Sequence, residues 1–155
     1  MSEQRELMID PYDDNYFMKQ AMLEAQKAFE VGEVPVGAVV VANKQVIARA
    51  HNLTETLTDV TAHAEMQAIT SASNFIGGKY LKGCTLYVTL EPCTMCGGAL
   101  YWSQLDKIVF AASDEKRGAG RHEGIYHPKT KIVHGIMEEE AANLIKSFFE
   151  ARRKG

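Results

Sequence analysis

Two separate stretches of this chain carry side chains that a fold must bring together if they bind one metal ion. They are Thr61-Ala62-His63-Ala64-Glu65 and Glu91-Pro92-Cys93-Thr94-Met95-Cys96. A structural zinc site usually has four protein ligands, whereas a catalytic site has three and leaves the fourth position to water. Three ligands, His63, Cys93 and Cys96, with Glu65 left over, therefore indicate a hydrolytic zinc centre.

Both stretches are predicted to begin helices. A helical pattern starts at Thr61, a candidate N-cap, and runs to about residue 74, with Ala62, Met66, Ile69 and Ala72 as candidate core residues. Pro92 precedes a shorter helix over about 93–103. The partial positive charge of a helix start favours thiolates, and one imidazole with two thiolates favours zinc. We expect Glu65 beside the open position of the metal as the catalytic residue.

Other roles for the cysteines remain open. Cys93 and Cys96 could form a redox pair, or the metal could be purely structural, with Glu65 or Cys84 as a fourth ligand. Cys84 precedes a strand and is more simply a small buried hydrophobe. The odd number of cysteines and the two-residue gap between Cys93 and Cys96 argue against a disulfide framework, and a reducing cytoplasm suits free thiolates that bind metal.

Size and composition predict an ordinary globular protein. The 155 residues, of which 46% are hydrophobic, fit one domain over 1–155 with a proper core. The polar N-terminus, Met1–Glu6, and the lack of a long apolar run predict a cytoplasmic protein without a membrane span. Nothing in the sequence indicates an organic cofactor.

The order of elements predicts an α/β fold with a mixed sheet of about five strands and helices on both faces. Asp13 or Asp14 caps a first helix to about Val31, whose buried stripe is Met18, Met22, Ala25 and Phe29. A hairpin follows, and later strands alternate with helices. The predicted strands lie at 39–41, 46–48, 85–89, 107–111 and 131–134, and a last helix lies at 138–153.

Charge is unevenly distributed. The net charge of −3 gives no global sign of nucleic-acid binding. Residues 112–130 show no periodicity, and so long a loop in a compact domain is usually functional. Basic residues in or beside this loop could contact phosphates, whereas those at the end of the chain suit either an anionic partner or the dipole of the last helix. The two groups are Lys116, Arg117, Arg121, Lys129 and Lys131, and Lys146, Arg152, Arg153 and Lys154.

His-x-Glu followed by Pro-Cys-x-x-Cys is the known pattern of the zinc deaminases. From about Val34 onward the chain resembles the cytidine deaminase-like superfamily and, within it, the bacterial tRNA-specific adenosine deaminases. The resemblance rests on the metal motif and on longer strings. These are Glu33-Val34-Pro35-Val36-Gly37-Ala38-Val39, Leu86-Tyr87-Val88-Thr89-Leu90 leading into the second stretch, Gly97-Gly98-Ala99 after it, and Phe148-Phe149 before Arg152-Arg153.

The resemblance implies a three-layer α/β/α fold, a homodimer and one zinc ion per subunit. It also implies that Glu65 passes a proton from water to the ring nitrogen of adenine during hydrolysis at C6, which yields inosine. The substrate would be the flipped wobble adenosine of an arginine tRNA anticodon stem-loop. Asn52, Ala64 and Asp114 would contact this substrate.

The chain departs from that family in two places. The run 120–125 differs from the small loop expected there, and Tyr101-Trp102 is similar to guanine deaminases of the same superfamily. A deaminase of a free base or nucleoside, guanine or cytosine, is therefore the first alternative. A non-catalytic zinc-stabilised binding module is the second, although it leaves Glu65 without a purpose. Trp102 itself fits either helix core or dimer packing.

Overall fold

The structure is a computed structural model and describes residues 10–154. The polar segment Met1–Glu6, on which the prediction of a cytoplasmic protein partly rests, lies outside the described residues. Its helices and strands follow the predicted order. They are α1 (Asp14–Glu30), β1 (Gly37–Ala42), β2 (Gln45–His51), α2 (Ala64–Ile76), β3 (Cys84–Leu90), α3 (Thr94–Ser103), β4 (Lys107–Ala112), a short 3-10 helix (Ala119–Arg121), β5 (Lys131–His134) and α4 (Glu138–Lys154).

The five strands form one mixed sheet in the order β2-β1-β3-β4-β5. β1 is antiparallel to β2 and β3, whereas β3, β4 and β5 are parallel. Asn43 and Lys44, between β1 and β2, both have positive φ, which a two-residue hairpin turn requires for its twist to match that of the strands. The predicted mixed sheet of about five strands is confirmed.

Helices cover both faces of the sheet. Because side chains alternate along a strand, Val40 packs under α2 and α3, whereas Val39 packs under α1 and α4. Ala68 and Leu100 belong to the first apolar cluster. Met18 and Ala141 belong to the second. The fold is therefore the predicted three-layer α/β/α sandwich.

The first helix begins as predicted but turns a slightly different face to the core. Asp13 is its N-cap, and its side chain accepts a hydrogen bond from the backbone N–H of Tyr16. Met22 and Phe29, predicted in the stripe, are only half-buried. The apolar residues that are buried are Phe17, Met18, Ala21, Ala25 and Ala28. The face of α1 that packs on the sheet therefore includes small alanine side chains, and these let α1 approach β1 closely.

The predicted cap of α2 is wrong. The backbone N–H and hydroxyl of Thr61 both donate to Asp59 Oδ1, so this threonine closes a turn instead of capping a helix. The helix begins two residues later, with His63 as its N-cap in an extended conformation. The buried positions in this helix shift accordingly, to Ala64, Glu65, Ala68 and Ala72.

The parallel arrangement of β3 and β4 gathers the functional segments at one edge. Both strands end there, so the turn at Glu91-Pro92 and the loop after Ala112 leave the sheet side by side. The start of α3 follows the first of these directly. Within residues 10–154, no helix combines the length and apolar character needed to cross a bilayer.

Candidate metal centre and substrate cavity

Two helix starts bring three potential metal ligands together. His63 is the N-cap of α2, Cys93 is the N-cap of α3, and Cys96 lies in the first turn of α3. Neither N-cap side chain bonds to its own helix. The side chains point to one another instead, with His63 Nδ1 lying 3.6 Å from Cys93 Sγ and 3.5 Å from Cys96 Sγ.

These distances fit a tetrahedral ion. With zinc bond lengths of about 2.3 Å to sulfur and 2.05 Å to nitrogen, tetrahedral geometry separates the two ligand atoms by ~3.6 Å. Within residues 10–154, one group of His, Cys, Asp or Glu has ligand atoms close enough to share a metal, and it consists of His63, Cys93 and Cys96. Cys84 lies instead in the apolar core, so nothing in its position supports a fourth ligand.

The three groups perturb one another. Hydrogen bonds from Cys96 and His63 lower the pKa of the Cys93 thiol to about 3. The hydrogen bond with Cys93 and burial raise the pKa of Cys96, and the bond with Cys93 also raises the pKa of His63. Cys93 is thus a ready thiolate, and a metal that binds here displaces protons from its neighbours.

Glu65 lies in the first turn of α2 and is only 4% exposed. Burial raises the pKa of its carboxyl to about 7. A group that titrates near neutral pH can both accept and return a proton, which general acid–base catalysis requires. Its side chain lines the same cavity as His63 and Cys93.

His63 and Cys93 line a cavity of about 860 Å³, within the range of small-molecule and cofactor pockets. The rest of the cavity wall comes from four places: the segments around β1 and β2, the end of β3, the loop after β4, and one face of α4. The residues that line it besides the metal group and Glu65 are Val34, Val36, Asn52, Thr54, Leu90, Glu91, residues 112–117, Ala142, Ile145 and Phe149.

Asn52, one of the predicted substrate contacts, lines this cavity and is 9% exposed. Its Oδ1 accepts a hydrogen bond from the backbone N–H of Ala64 at 2.9 Å. Ala64 is fully buried, its N–H is already engaged, and it is not part of the cavity lining. The structure therefore brings Asn52 to the cavity and Ala64 behind it, and a direct contact of Ala64 with substrate stays a prediction.

Asp114 also lines the cavity, but its carboxylate is engaged within the loop. Asp114 Oδ1 accepts hydrogen bonds from the backbone N–H groups of Lys116 and Arg117 at 3.1 and 3.0 Å. The turn brings these two cations into the cavity wall, whereas Arg121, Lys129 and Lys131 lie outside it.

Sequence reasoning missed the apolar wall that α4 contributes. Ala142, Ile145 and Phe149 are spaced at three and four residues, so they follow one another along a single face of the helix. Phe149 keeps 44% of its surface exposed beside the buried Phe148. The spacing was visible in the sequence, but nothing local indicated that this face would meet the metal site.

Trp102 does not belong to the core. Its side chain is 72% exposed near the C-terminal end of α3, so the interpretation of Trp102 as helix core is wrong. The neighbouring ring of Tyr101 is half-buried and packs between Trp102 and His127.

A mixed five-stranded sheet, with one histidine and two cysteines at adjacent helix starts placed to bind a metal, defines a protein of the cytidine deaminase-like class. Comparison with known proteins agrees. The model of the MafB19-like deaminase family matches residues 12–153. A tRNA-specific adenosine deaminase of Bacillus subtilis is 46% identical over an alignment of 147 residues, and the match covers 91% of each chain.

Two solved structures show the same fold. One, from a study of A-to-I editing by tRNA:A34 deaminases, is 40% identical, covers 83% of this chain and 98% of its own, and has a TM-score of 0.78. The guanine deaminase of Bacillus subtilis is 34% identical, covers 74% and 71% of the two chains, and has a TM-score of 0.64. The chain belongs to the MafB19-like deaminase family, and the predicted resemblance to tRNA-specific adenosine deaminases is confirmed.

Proposed function

We propose that this chain is a zinc-dependent, tRNA-specific adenosine deaminase that converts the wobble adenosine of an anticodon to inosine. The observation that carries the chemistry is Glu65, a buried carboxyl beside three metal ligands at the wall of an open cavity. The substrate rests on the near full-length similarity to proteins of that name.

One zinc ion per subunit, held by His63, Cys93 and Cys96, would supply a water molecule of lowered pKa. Glu65 accepts a proton on one carboxylate oxygen and returns it to the ring nitrogen of the base. Burial raises the pKa of the Glu65 carboxyl to about 7, so it can accept and release a proton near neutral pH. Both helix starts direct partial positive charge toward the reacting atoms.

The cavity also suits a nucleotide that has been turned out of an RNA loop. Asn52 Oδ1 is taken by Ala64, so its Nδ2 is left to donate to a base in the cavity. The exposed ring of Phe149 offers a surface on which a base can stack. Lys116 and Arg117, which also line the cavity, supply charge for phosphates. We expect these four side chains to bind the anticodon stem-loop of an arginine tRNA.

We further propose that the protein is a cytoplasmic homodimer of one-domain chains. Since α2 and α3 begin at the same metal group and pack together on one face of the sheet, their C-terminal ends lie at the same end of that layer. Phe75, Ile76 and Trp102 are large apolar residues exposed near those ends, and exposed apolar side chains of this kind suit contact with a second copy. In sedimentation experiments the wild type should be a dimer, and Trp102→Ser should dissociate more readily. A monomeric wild type would contradict the proposed dimer.

The decisive experiment compares the wild type with Glu65→Gln on an anticodon stem-loop of arginine tRNA. The wild type should form inosine, and the variant should lose about 100-fold or more in kcat while keeping its zinc. Full activity of the variant would overturn the proposed mechanism. Zinc content measured on the same samples separates loss of the base from loss of the metal.

Free guanine is the second candidate substrate, favoured by the similarity to guanine deaminase and by Tyr101-Trp102. Ammonia release from adenine, guanine, cytosine and their nucleosides should be negligible beside turnover of the stem-loop. Turnover of a free base without turnover of RNA would replace the tRNA assignment with this one.

A further inference from the structure

A single carboxylate joins the metal-binding helix start to the long loop after β4. Glu91 directly follows β3 and precedes Pro92 and Cys93. Its backbone N–H donates to the carbonyl of Ala112 at 2.8 Å. Its Oε1 accepts a hydrogen bond from the N–H of Asp114, and its Oε2 accepts one from the N–H of Gly120, each at 2.9 Å. Glu91 therefore holds the loop by hydrogen bonds at two points, Asp114 near the start of the loop and Gly120 in the 3-10 helix.

The loop lies against this carboxylate so closely that it leaves no room for side chains. A Cβ atom on Gly118 would lie 2.3 Å from Glu91 Cδ, and one on Gly120 would lie 2.8 Å from Glu91 Oε2. Gly118 has an ordinary φ of −65°, so the need for glycine there comes from space and not from backbone conformation.

The same loop is also tied directly to the metal ligands. Gly118 pairs with Cys93 in an isolated antiparallel bridge, and the N–H of Ala119 donates to the carbonyl of Pro92 at 2.7 Å. Residues 113–117, which contain Asp114, the first of the two points held by Glu91, and lead toward the second, Gly120, form a wall of the substrate cavity. The distance between this wall and the metal group is thus set by the Glu91 side chain together with these two backbone contacts.

We propose that Glu91 is a positioning residue, which acts through the N–H groups of Asp114 and Gly120 to hold the 113–117 wall where an RNA substrate meets it. The inference rests on the proposed function. Both oxygens of Glu91 are occupied by the loop, so it orders the cavity wall and does not contact the reacting atoms. A carboxylate suits this role because it offers two acceptor oxygens and no donor. Glutamine would direct an NH₂ group at one of the two N–H groups.

Glu91→Gln should raise KM for the anticodon stem-loop about tenfold, as expected for one lost charge-assisted bond, with kcat within about threefold of wild type. Its zinc content should not change. Asp14→Asn is the matched control, because the Asp14 carboxylate binds Tyr87 and Lys107 away from the cavity. The control should lower the melting temperature but leave KM unaltered. An equal rise in KM for both variants would overturn the proposal.

Amide hydrogen exchange tests the contact without any substrate. In Glu91→Gln the amides of Asp114 and Gly120 should exchange faster, while those in the middle of β4 keep their protection. Gly120→Ala, which drives a methyl group against Glu91, should reproduce both effects, and the double variant should be no worse than either single one. Unchanged exchange at both amides would overturn the proposal. If the wild type does not deaminate RNA, the proposed function fails. Amide hydrogen exchange at Asp114 and Gly120 still tests the role of Glu91 in that case.

Discussion

Asn52 Oδ1 lies 2.9 Å from the backbone nitrogen of Ala64, the first residue of α2. The first N–H groups of a helix lack partners within the helix, so Asn52 caps α2 from a distant loop. This bond also orients the amide of Asn52, since only its oxygen can accept from an N–H. One residue thereby supports the helix that carries Glu65 and presents a donor to the cavity.

The two roles of Asn52 can be separated by two substitutions. Asn52→Asp keeps the acceptor for Ala64 but loses the donor, so KM for the stem-loop should rise at least about tenfold. Asn52→Ala loses the acceptor as well and should cost about 1 kcal/mol of unfolding free energy on top of that. Denaturant titration and steady-state kinetics measure these effects. Wild-type KM in Asn52→Asp would remove Asn52 from the substrate site.

Metal binding should depend on Cys96 and not on Cys84. Cys96→Ser is expected to lose more than about 100-fold in zinc affinity, since even outer-shell substitutions cost 10–100-fold. Cys84→Ala is the matched control, because Cys84 is equally buried but lies in the apolar core. Zinc analysis after dialysis against a chelator compares the two. Loss of zinc from Cys84→Ala would restore the four-ligand structural site as an interpretation.

Neighbouring glycines in α3 should respond in opposite ways to alanine. A Cβ atom on Gly97 would lie 2.8 Å from Ala119 Cβ and 2.9 Å from Ile125 Cγ1, whereas one on Gly98 meets nothing within 4 Å. Gly97→Ala should therefore destabilise the protein by about 1–3 kcal/mol through overpacking. Gly98→Ala should stabilise it by up to about 1 kcal/mol, as alanine does in a helix. Equal effects in thermal unfolding would contradict the packing of the loop on α3.

Glu33 should make stability depend on acid pH. Burial alone would raise the pKa of its carboxyl, but hydrogen bonds from Thr56, Glu55 and Thr54 lower it below the usual 4.5. A lowered pKa adds stability above the unfolded-state value, and this is lost as the pH falls through the folded-state value. Glu33→Gln should thus cost about 2 kcal/mol at pH 7, and this cost should shrink as the pH falls through the lowered pKa of Glu33. Denaturant titrations across this range measure the difference, and a constant difference would contradict it.

The element order and the metal group were predictable because each depends on local pattern. Alternating β-branched runs mark β1 and β3, and the ligand spacing restricts Cys93 and Cys96 to one helix start. The predicted start of α2 was wrong because a competing local contact determines where the helix begins. Thr61 has the chemistry of a cap, but Asp59 captures its hydroxyl, and the helix begins at His63 instead.

What the sequence could not reveal are relationships between segments far apart in the chain. Phe149 lies on an amphipathic helix whose pattern predicts burial but not the partner it meets. Glu91 appears beside the ligands as part of a motif, yet its two hydrogen bonds go to Asp114 and Gly120, in a loop without periodicity. Only the parallel pairing of β3 and β4 brings these segments together.

The separation of the metal ligands from the 113–117 wall has a consequence for engineering. The ligands are held by helix starts packed on the sheet, whereas the wall belongs to a loop that is held to them by the Glu91 carboxylate and by backbone contacts of Gly118 and Ala119. A graft that keeps Glu91, Gly118 and Gly120 can exchange residues 115–117 without disturbing the metal ligands or Glu65. Libraries confined to residues 115–117 are therefore the economical place to search for enzymes that accept a different nucleic acid.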